Sequence, residues 1–155
     1  MSFFDFWTES IAIDLGTANT LIIHNDKVVV DSPSIVAIDQ KSNKIIAVGK
    51  EASLMHGKTH ESIKTVRPLK DGVIADFNAS EQMIGQLIKS IPNLNKRFYS
   101  PSLKMVICIP SGITEVEMRA VKESAERVNG KEVYLIQEPM AAAIGIGVDI
   151  MQPKG

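Results

Sequence analysis

Residues 11–31, IAIDLGTANTLIIHNDKVVVD, decide the fold of this chain. They contain three short runs rich in β-branched residues: Ile11 to Asp14, Thr20 to His24 and Lys27 to Asp31. Runs of this kind, bounded by turn residues, favour strands. The first connection contains Gly16 and the second is Asn25-Asp26, and connections this short join neighbouring strands of an antiparallel sheet. The stretch therefore predicts a three-stranded antiparallel meander.

Helices and strands alternate downstream of the meander. Helices are predicted to begin at Asn78, Thr114 and Met140 and to end near Pro92, Gly130 and Ile146, with strands at Lys104 to Ile109 and Glu132 to Ile136. The first two helices open on pairs with capping-box spacing, Asn78 with Glu81 and Thr114 with Glu117. Strands separated by a helix pair in parallel through right-handed crossovers. We therefore expect an α/β fold of the ribonuclease-H-like plan, in which a mixed sheet, antiparallel and then parallel, lies between helices on both faces.

An insertion separates the meander from the first of these helices. It contains two strand-like runs and one helix-prone piece: Ser34 to Asp39, Lys44 to Val48 and Glu51 to Met55. Residues 56–76 show no clear pattern. We expect three parts in the chain, namely an N-terminal segment over residues 1–10, a large subdomain from 11–32 and 77–155, and a small inserted α+β subdomain over 33–76.

The N-terminal segment is rich in aromatic residues. At about 100° per residue, one side of a helix would carry Phe3, Phe4, Phe6 and Trp7, and the other side Asp5 and Glu9. The segment has no Lys or Arg and no uninterrupted apolar run, so it is not a signal peptide. An amphipathic helix of this composition fits a membrane surface, although its acidic residues weaken attraction to anionic lipid. The alternative is a helix or strand docked on the protein's own core.

Composition and charge exclude several classes of protein. The 155 residues are 45% hydrophobic, and 17 Lys and Arg against 18 Asp and Glu give a net charge of -1. A chain of this size can bury a conventional core, and it lacks the excess positive charge on which nucleic-acid binding relies. Cys108 is the single cysteine, which excludes internal disulfides and multi-cysteine zinc sites and favours the cytoplasm. No apolar run is long enough to span a bilayer.

The best candidate for chemistry is the turn Asp14-Leu15-Gly16-Thr17-Ala18-Asn19-Thr20. Gly16 permits a tight turn, small residues leave amide N–H groups free for phosphate oxygens, and three side chains add donors, those of Thr17, Asn19 and Thr20. Asp14, at the end of a buried strand, suits a hydrated Mg²⁺. A hairpin turn with a purely structural role has the same composition. The turn is not a P-loop, because it has no Lys and lacks the G-x-x-x-x-G-K-[ST] spacing.

Three further groups of side chains have a chemistry that a functional site could use. Glu138 stands at a strand-to-helix junction, where a carboxylate can orient water or stabilise the helix terminus. His56 and His60 have the i, i+4 spacing of metal ligands, but no third ligand is evident. Cys108, inside an apolar strand, is interpreted as a small core residue.

Four motifs resemble those of the MreB family, bacterial actin homologues that determine rod shape. They are Asp14-Leu15-Gly16-Thr17-Ala18-Asn19-Thr20, Arg67-Pro68-Leu69-Lys70-Asp71-Gly72-Val73-Ile74-Ala75-Asp76-Phe77, Ile109-Pro110-Ser111-Gly112-Ile113-Thr114 and Glu138-Pro139-Met140-Ala141-Ala142-Ala143-Ile144-Gly145. The resemblance covers essentially the whole chain but only the N-terminal half of the family. A second phosphate loop, Asp-x-Gly-Gly-Gly-Thr, would be expected beyond Gly155, so we expect half of a longer protein or a truncated product.

The resemblance implies an ATP-dependent protein with an actin-like fold. Asp14 would help to place Mg²⁺, and the β- and γ-phosphates would be cradled by Gly16, Thr17, Ala18, Asn19 and Thr20. Glu138 would position the attacking water, and Asp71 would lie in a loop near the γ-phosphate. Because the second phosphate loop and the adenine pocket are missing, we expect this chain alone to bind ATP weakly and to hydrolyse it negligibly.

The resemblance also implies partners and a location. Filaments would form by self-association, partly through the small inserted subdomain, and would lie in the cytoplasm at the inner face of the cell membrane. Phe98 and Tyr99 would lie on a loop that reaches this membrane beside the N-terminal helix. The filaments would organise the cell-wall synthesis and elongation machinery, with no nucleic-acid partner. Two alternatives remain: a sugar or acetate kinase of the same superfamily, which shares the Asp-x-Gly-Thr loop, and a binding module without catalysis.

Overall fold

The computed structural model describes residues 8–58, 61–71, 73–91, 94 and 102–150. Its strands are β1 (Thr8–Leu15), β2 (Asn19–His24), β3 (Lys27–Pro33), β4 (Val36–Asp39), β5 (Lys44–Val48), β6 (Ile63–Val66), β7 (Leu69–Lys70), β8 (Val73–Ile74), β9 (Ser102–Ile109) and β10 (Gly130–Gln137). Its helices are α1 (Gly49–Met55), α2 (Phe77–Lys89), α3 (Glu115–Arg127) and α4 (Glu138–Gly145). Across the described ranges, every helix is too short or too polar to span a bilayer.

A five-stranded mixed sheet, in the order β10-β9-β1-β2-β3, forms the centre of the fold. Strands β1, β2 and β3 are antiparallel neighbours, and β9 pairs in parallel with both β1 and β10. The connection from β2 to β3 has positive φ at both Asn25 (51°) and Asp26 (57°), as a type I′ hairpin turn requires. The predicted meander and the mixed sheet are confirmed.

Strand β1 is longer at its start than the sequence pattern predicts. It pairs with β9 from Thr8 and Ser102 onwards, so residues 8–10, which the sequence assigned to an N-terminal helix, are extended. The Glu9 carboxylate lies 3.0 Å from Nε2 of His24 on the neighbouring strand. Pairing with a strand so distant in sequence overrides a local helical pattern. Other predictions fall outside the described residues, namely those on Phe3, Phe4, Phe6, Trp7, His60, Phe98 and Tyr99.

The main core lies between one face of this sheet and helices α2 and α3. Along β9 the buried side chains are Leu103, Met105, Ile107 and Ile109. They alternate with less buried side chains such as that of Val106, 36% exposed, because successive residues of a strand face opposite sides. Helix α2 contributes Met83, Ile84, Leu87 and Ile88 to the same cluster. Helix α4 follows β10 directly and contacts β9 and β10.

A second sheet of three antiparallel strands, in the order β5-β4-β6, occurs between β3 and α2 in the chain. It packs with α1 around a small cluster of Ile35, Ala37, Ala47 and Ala52. Val36, on the other face of β4, joins the main core. Strands β6, β7 and β8 come from residues 56–76, where no sequence pattern was evident, because strands of two to four residues are too short to show a period.

The two predicted helix caps have different outcomes. At α3 the capping box is confirmed, since Thr114 Oγ1 accepts from the Glu117 N–H and Glu117 Oε2 accepts from the Thr114 N–H. At α2 the predicted cap at Asn78 is wrong, because Asp76 is the N-cap and its carboxylate accepts from the Ala79 N–H over 2.9 Å. Asp and Asn are equally good caps, so the pattern placed this helix correctly but not its first residue.

Candidate functional site

A cavity of about 680 Å³ lies where β1, β9 and β10 end. Its lining residues come from separate stretches of the chain: Asp14, Gly16, Thr17, Asp71, Cys108, Pro110, Glu138, Ala141 and Ala142. These three strands are mutually parallel and have their carboxyl ends at one edge of the sheet, which is the place where open α/β sheets bind ligands. The fold therefore brings the turn after β1 next to the first turn of α4.

The turn after β1 is closely packed and already hydrogen-bonded. A Cβ atom at Gly16 would lie 2.5 Å from the carbonyl oxygen of Asn19, so a larger residue requires the backbone to move. Ser34 donates twice to this turn, from Oγ to the Gly16 carbonyl over 2.6 Å and from its N–H to the Ala18 carbonyl over 2.8 Å. The conformation of the turn is thus fixed by the protein itself.

Three of the predicted phosphate-binding residues do not line the cavity. Ala18 is exposed, and Nδ2 of Asn19 donates to Oδ1 of Asp31 over 3.4 Å. Thr20 is fully buried, and its hydroxyl lies 2.9 Å from Oγ of Ser34. Of the residues of this turn, Gly16 and Thr17 therefore line the cavity. The buried Thr20 side chain does not line it and instead contacts Ser34, which binds the turn.

Three carboxylates, from Asp14, Asp71 and Glu138, line the same cavity. Asp71 lies in the connection from β7 to β8 with a positive φ of 51°, a conformation that Asp tolerates better than most residues. Glu138 is the first residue of α4, where the helix dipole favours a negative charge. The acidic side chains converge although Asp71 belongs to a hairpin outside the main sheet.

Cys108 lies among these carboxylates, half-buried, rather than in the core as its apolar strand suggested. Burial raises the pKa of its thiol, and the charges of Asp14 and Glu138 raise that pKa further. The thiol is therefore neutral at physiological pH and adds no charge to the cavity. Its position could have been found from the strand register alone, since the side chain of Cys108 alternates with the buried residues of β9.

The residues of the cavity fit a hydrated magnesium ion bound together with phosphate. Among the described residues, no group of three or more His, Cys, Asp and Glu side chains is arranged as a metal site of its own. Magnesium, however, is commonly held by one or two carboxylates with water and phosphate oxygens, and Asp14 is an exposed carboxylate beside the turn. His56, one of the two histidines with metal-ligand spacing, has its Nδ1 2.7 Å from Oγ1 of Thr65, so one of its ring nitrogens already has a partner.

Comparison with curated proteins gives relatives over almost the whole chain. The cell shape-determining protein Mbl of Bacillus subtilis (strain 168) is 49% identical over 150 residues, which are 96% of this chain and 44% of that protein. The cell shape-determining protein MreB of Escherichia coli (strain K12) is 44% identical over 154 residues, with the same shares of both chains. The chain thus spans less than half the length of these relatives.

Comparison with solved structures gives the same fold. MreB5 of Spiroplasma citri bound to ADP superposes with a TM-score of 0.80 at 36% identity, over 96% of this chain and 44% of that one. The MamK double helical filament matches at 18% identity with a TM-score of 0.73, over 90% of this chain and 43% of that one, and supports the actin-like fold alone. The profile of the MreB/Mbl protein family matches residues 8–155. With this match and relatives at 44% identity and above, the chain belongs to the MreB/Mbl protein family.

Proposed function

We propose that this chain is the phosphate-binding half of an actin-like filament protein that binds and hydrolyses Mg-ATP. One observation carries the proposal: a single cavity is lined by Asp14, Gly16, Thr17, Asp71 and Glu138. These residues supply a tight turn for phosphates, carboxylate oxygens for a hydrated cation and a carboxylate for water. The Spiroplasma citri relative, 36% identical, was solved with ADP bound, which supports the same class of ligand.

In this proposal the turn after β1 binds the phosphates through its backbone. Amide N–H groups around Thr17 would donate to β- and γ-phosphate oxygens. Because Ser34 already binds the carbonyl groups of Gly16 and Ala18, the turn has little conformational freedom left to lose on binding. Asp14 would hold the hydrated Mg²⁺, which when bound neutralises phosphate charge, and Asp71 would lie near the γ-phosphate.

Glu138 is the residue to which we assign the attacking water. As an exposed carboxylate at the start of α4, it can accept a hydrogen bond from water and orient that water toward the phosphate. Such a group acts mainly in the transition state. Removing its charge should therefore change the rate of hydrolysis much more than the affinity for nucleotide.

The test uses the protein at its full natural length. Glu138→Gln should slow phosphate release about a hundredfold and leave the Kd for Mg-ATP within about twofold. The matched control is Glu126→Gln, an exposed glutamate on α3, which should change neither quantity. An equal loss of affinity and turnover would make Glu138 a structural or cation-binding residue. Transfer of phosphate to an added sugar or to acetate would instead support the kinase alternative.

We further propose that the whole protein assembles into filaments at the inner face of the cell membrane and determines cell shape by organising cell-wall synthesis. Support comes from family membership and from relatives named cell shape-determining proteins. ATP hydrolysis would regulate assembly. The membrane contacts would be made by Phe3, Phe4, Phe6, Trp7, Phe98 and Tyr99.

A further inference from the structure

A chain of hydrogen bonds through Ser34 supports the turn after β1, residues 16–19, which we call the phosphate turn after its role in the proposed function. The Ser34 hydroxyl is fully buried and donates to the Gly16 carbonyl over 2.6 Å. Its only hydrogen is used in that bond, so in the 2.9 Å contact with Thr20 the threonine hydroxyl must be the donor. The order is therefore Thr20 to Ser34 to Gly16, in which each hydroxyl polarises the next.

The Ala18 carbonyl accepts hydrogen bonds from two residues, one before and one after the strands of the second sheet in the chain. The Ser34 N–H donates to it over 2.8 Å and Nη1 of Arg67 over 3.3 Å. Ser34 directly follows β3, the last strand of the main sheet before the second sheet, and Arg67 directly follows β6, the last strand of the second sheet. The phosphate turn is thus in contact with the residue that follows β3, before the chain enters the second sheet, and with the residue that follows β6, where the chain leaves it.

Holding two carbonyl groups also fixes two amide groups. In a trans peptide the C=O and the following N–H point in opposite directions, and the described part of the chain has no cis peptide bond. With the Gly16 carbonyl bound to Ser34, the Thr17 N–H must point away from Ser34, and Thr17 is the residue that lines the cavity beside Gly16. The carbonyl of Ala18 fixes the N–H of Asn19 in the same way.

We propose that Ser34 and Arg67 are positioning residues of the phosphate turn, which set the direction of its amide groups and make their geometry depend on the placement of the second sheet. This inference rests on the proposed function, since it concerns how the same turn binds phosphate. Neither residue lines the cavity, so each acts through the backbone of the turn and not on the ligand.

The first experiment measures the Kd for Mg-ADP with the full-length protein and its Ser34→Ala variant. We expect an affinity about fivefold to tenfold weaker, as expected when a backbone group loses the hydrogen bond that orients it. The control is Ile84→Val, which removes a methyl group from the buried face of α2 and is not one of the residues that donate to the Gly16 and Ala18 carbonyl groups. It should lower the melting temperature and leave the Kd unchanged, which separates positioning from a general loss of stability.

The second experiment needs no buried substitution. Arg67 is exposed, so Arg67→Gln should fold normally and weaken Mg-ADP binding about threefold, the effect of one partly solvated hydrogen bond. Lys64→Gln removes the same charge from an exposed position of β6, three residues away, and should leave the affinity unchanged at 0.15 M salt. Equal losses in the two variants would mean that only long-range charge matters.

The outcomes separate this inference from the proposed function. If the wild-type protein fails to bind Mg-ADP, the proposed function is wrong. If the wild type binds and both Ser34→Ala and Arg67→Gln bind equally well, the positioning role is overturned. Should Ser34→Ala not fold, the comparison of Arg67→Gln with Lys64→Gln decides alone.

Discussion

Asp14 on β1 lies directly opposite Cys108 on β9 in the parallel ladder. The pairing places the single thiol of the protein beside a carboxylate of the candidate phosphate site, and burial together with Asp14 and Glu138 raises the pKa of that thiol. A raised pKa means that the folded protein binds the thiol proton more tightly than the unfolded chain does. The protonated Cys108 thiol therefore contributes to the free energy of unfolding. This contribution is fully present below the ordinary thiol pKa and is lost as the pH rises through the raised pKa of the folded protein.

We predict that Cys108 reacts slowly with iodoacetamide and that its reaction begins at higher pH than that of glutathione. The thiolate is the reactive form, so Asp14→Asn should speed alkylation at pH 8 by removing a neighbouring negative charge. Because Cys108 is the only cysteine, mass spectrometry of the whole chain gives the rate without ambiguity. A rate equal to that of glutathione, unchanged in Asp14→Asn, would contradict the proximity of these groups.

Gly16→Ala should disturb the phosphate turn, because its Cβ would lie 2.5 Å from the Asn19 carbonyl oxygen. We expect a loss of roughly 1–3 kcal/mol in the free energy of unfolding, the usual range for overpacking a site that must shift its backbone. Gly112→Ala is the matched control, since a Cβ there meets no atom within 4 Å. Urea denaturation of both variants makes the comparison, and equal stabilities would show that the turn adapts without cost.

The 155-residue chain on its own should bind Mg-ATP only weakly and release no measurable phosphate. Its cavity offers a phosphate turn and carboxylates for the phosphates and a cation, and the chain spans less than half the length of its curated relatives. Isothermal titration calorimetry measures this directly. Micromolar affinity for the isolated chain would contradict the prediction and would mean that the described cavity is a sufficient binding site.

The N-terminal aromatic residues should drive reversible membrane binding. At about 25 cal/mol per Å² and roughly 150–250 Å² for each buried ring, even partial insertion of four rings gives several kcal/mol. Changing Phe3, Phe4, Phe6 and Trp7 to Ser should abolish co-sedimentation of the assembled protein with liposomes, and added salt should weaken wild-type binding only slightly. The control is Leu54→Ser with Val116→Ser, which removes exposed apolar residues of α1 and α3. Unchanged sedimentation of the aromatic variant would show that the segment packs on the protein.

Ser80→Ala should stabilise the protein by about 1 kcal/mol. Within the described residues its hydroxyl is buried without a hydrogen-bond partner, and an unpaired buried hydroxyl costs about that amount. Alanine is also the better helix former at this position in α2. Ser90→Ala should have the opposite sign, since Oγ of Ser90 donates to the Leu87 carbonyl over 2.7 Å. Thermal unfolding of the two variants tests both signs.

Elements with strong local signals were predictable from the sequence. The meander follows from β-branched runs and a two-residue turn, and α3 from its Thr114 and Glu117 capping box. The start of β1 and the short strands β6, β7 and β8 were not, because their extended conformation depends on partners distant in sequence. Thr8, for example, is extended because it pairs with Ser102.

The same distinction applies to the candidate site. Asp14, Asp71 and Glu138 belong to motifs that a family resemblance can identify, and they line one cavity. Ser34 lies outside these motifs. A serine after a proline at the end of a strand is common, so the sequence alone does not mark it as part of the site. Only the fold shows that it donates to the Gly16 carbonyl, 18 positions earlier in the chain.

The pairing of β1 with β9 also constrains how this chain folds during synthesis. The meander needs only residues from 8 to 33, and it can form soon after they leave the ribosome. The other edge of β1 pairs with β9, which lies about 94 residues later in the chain. Closing a loop of that length costs about 4 kcal/mol in conformational entropy. The phosphate turn is thus synthesised early, but its surroundings are completed only when β9 pairs with β1. We expect the pairing of β9 to limit the rate of folding. Until then the central strand β1 has an unpaired edge, which chaperones can bind.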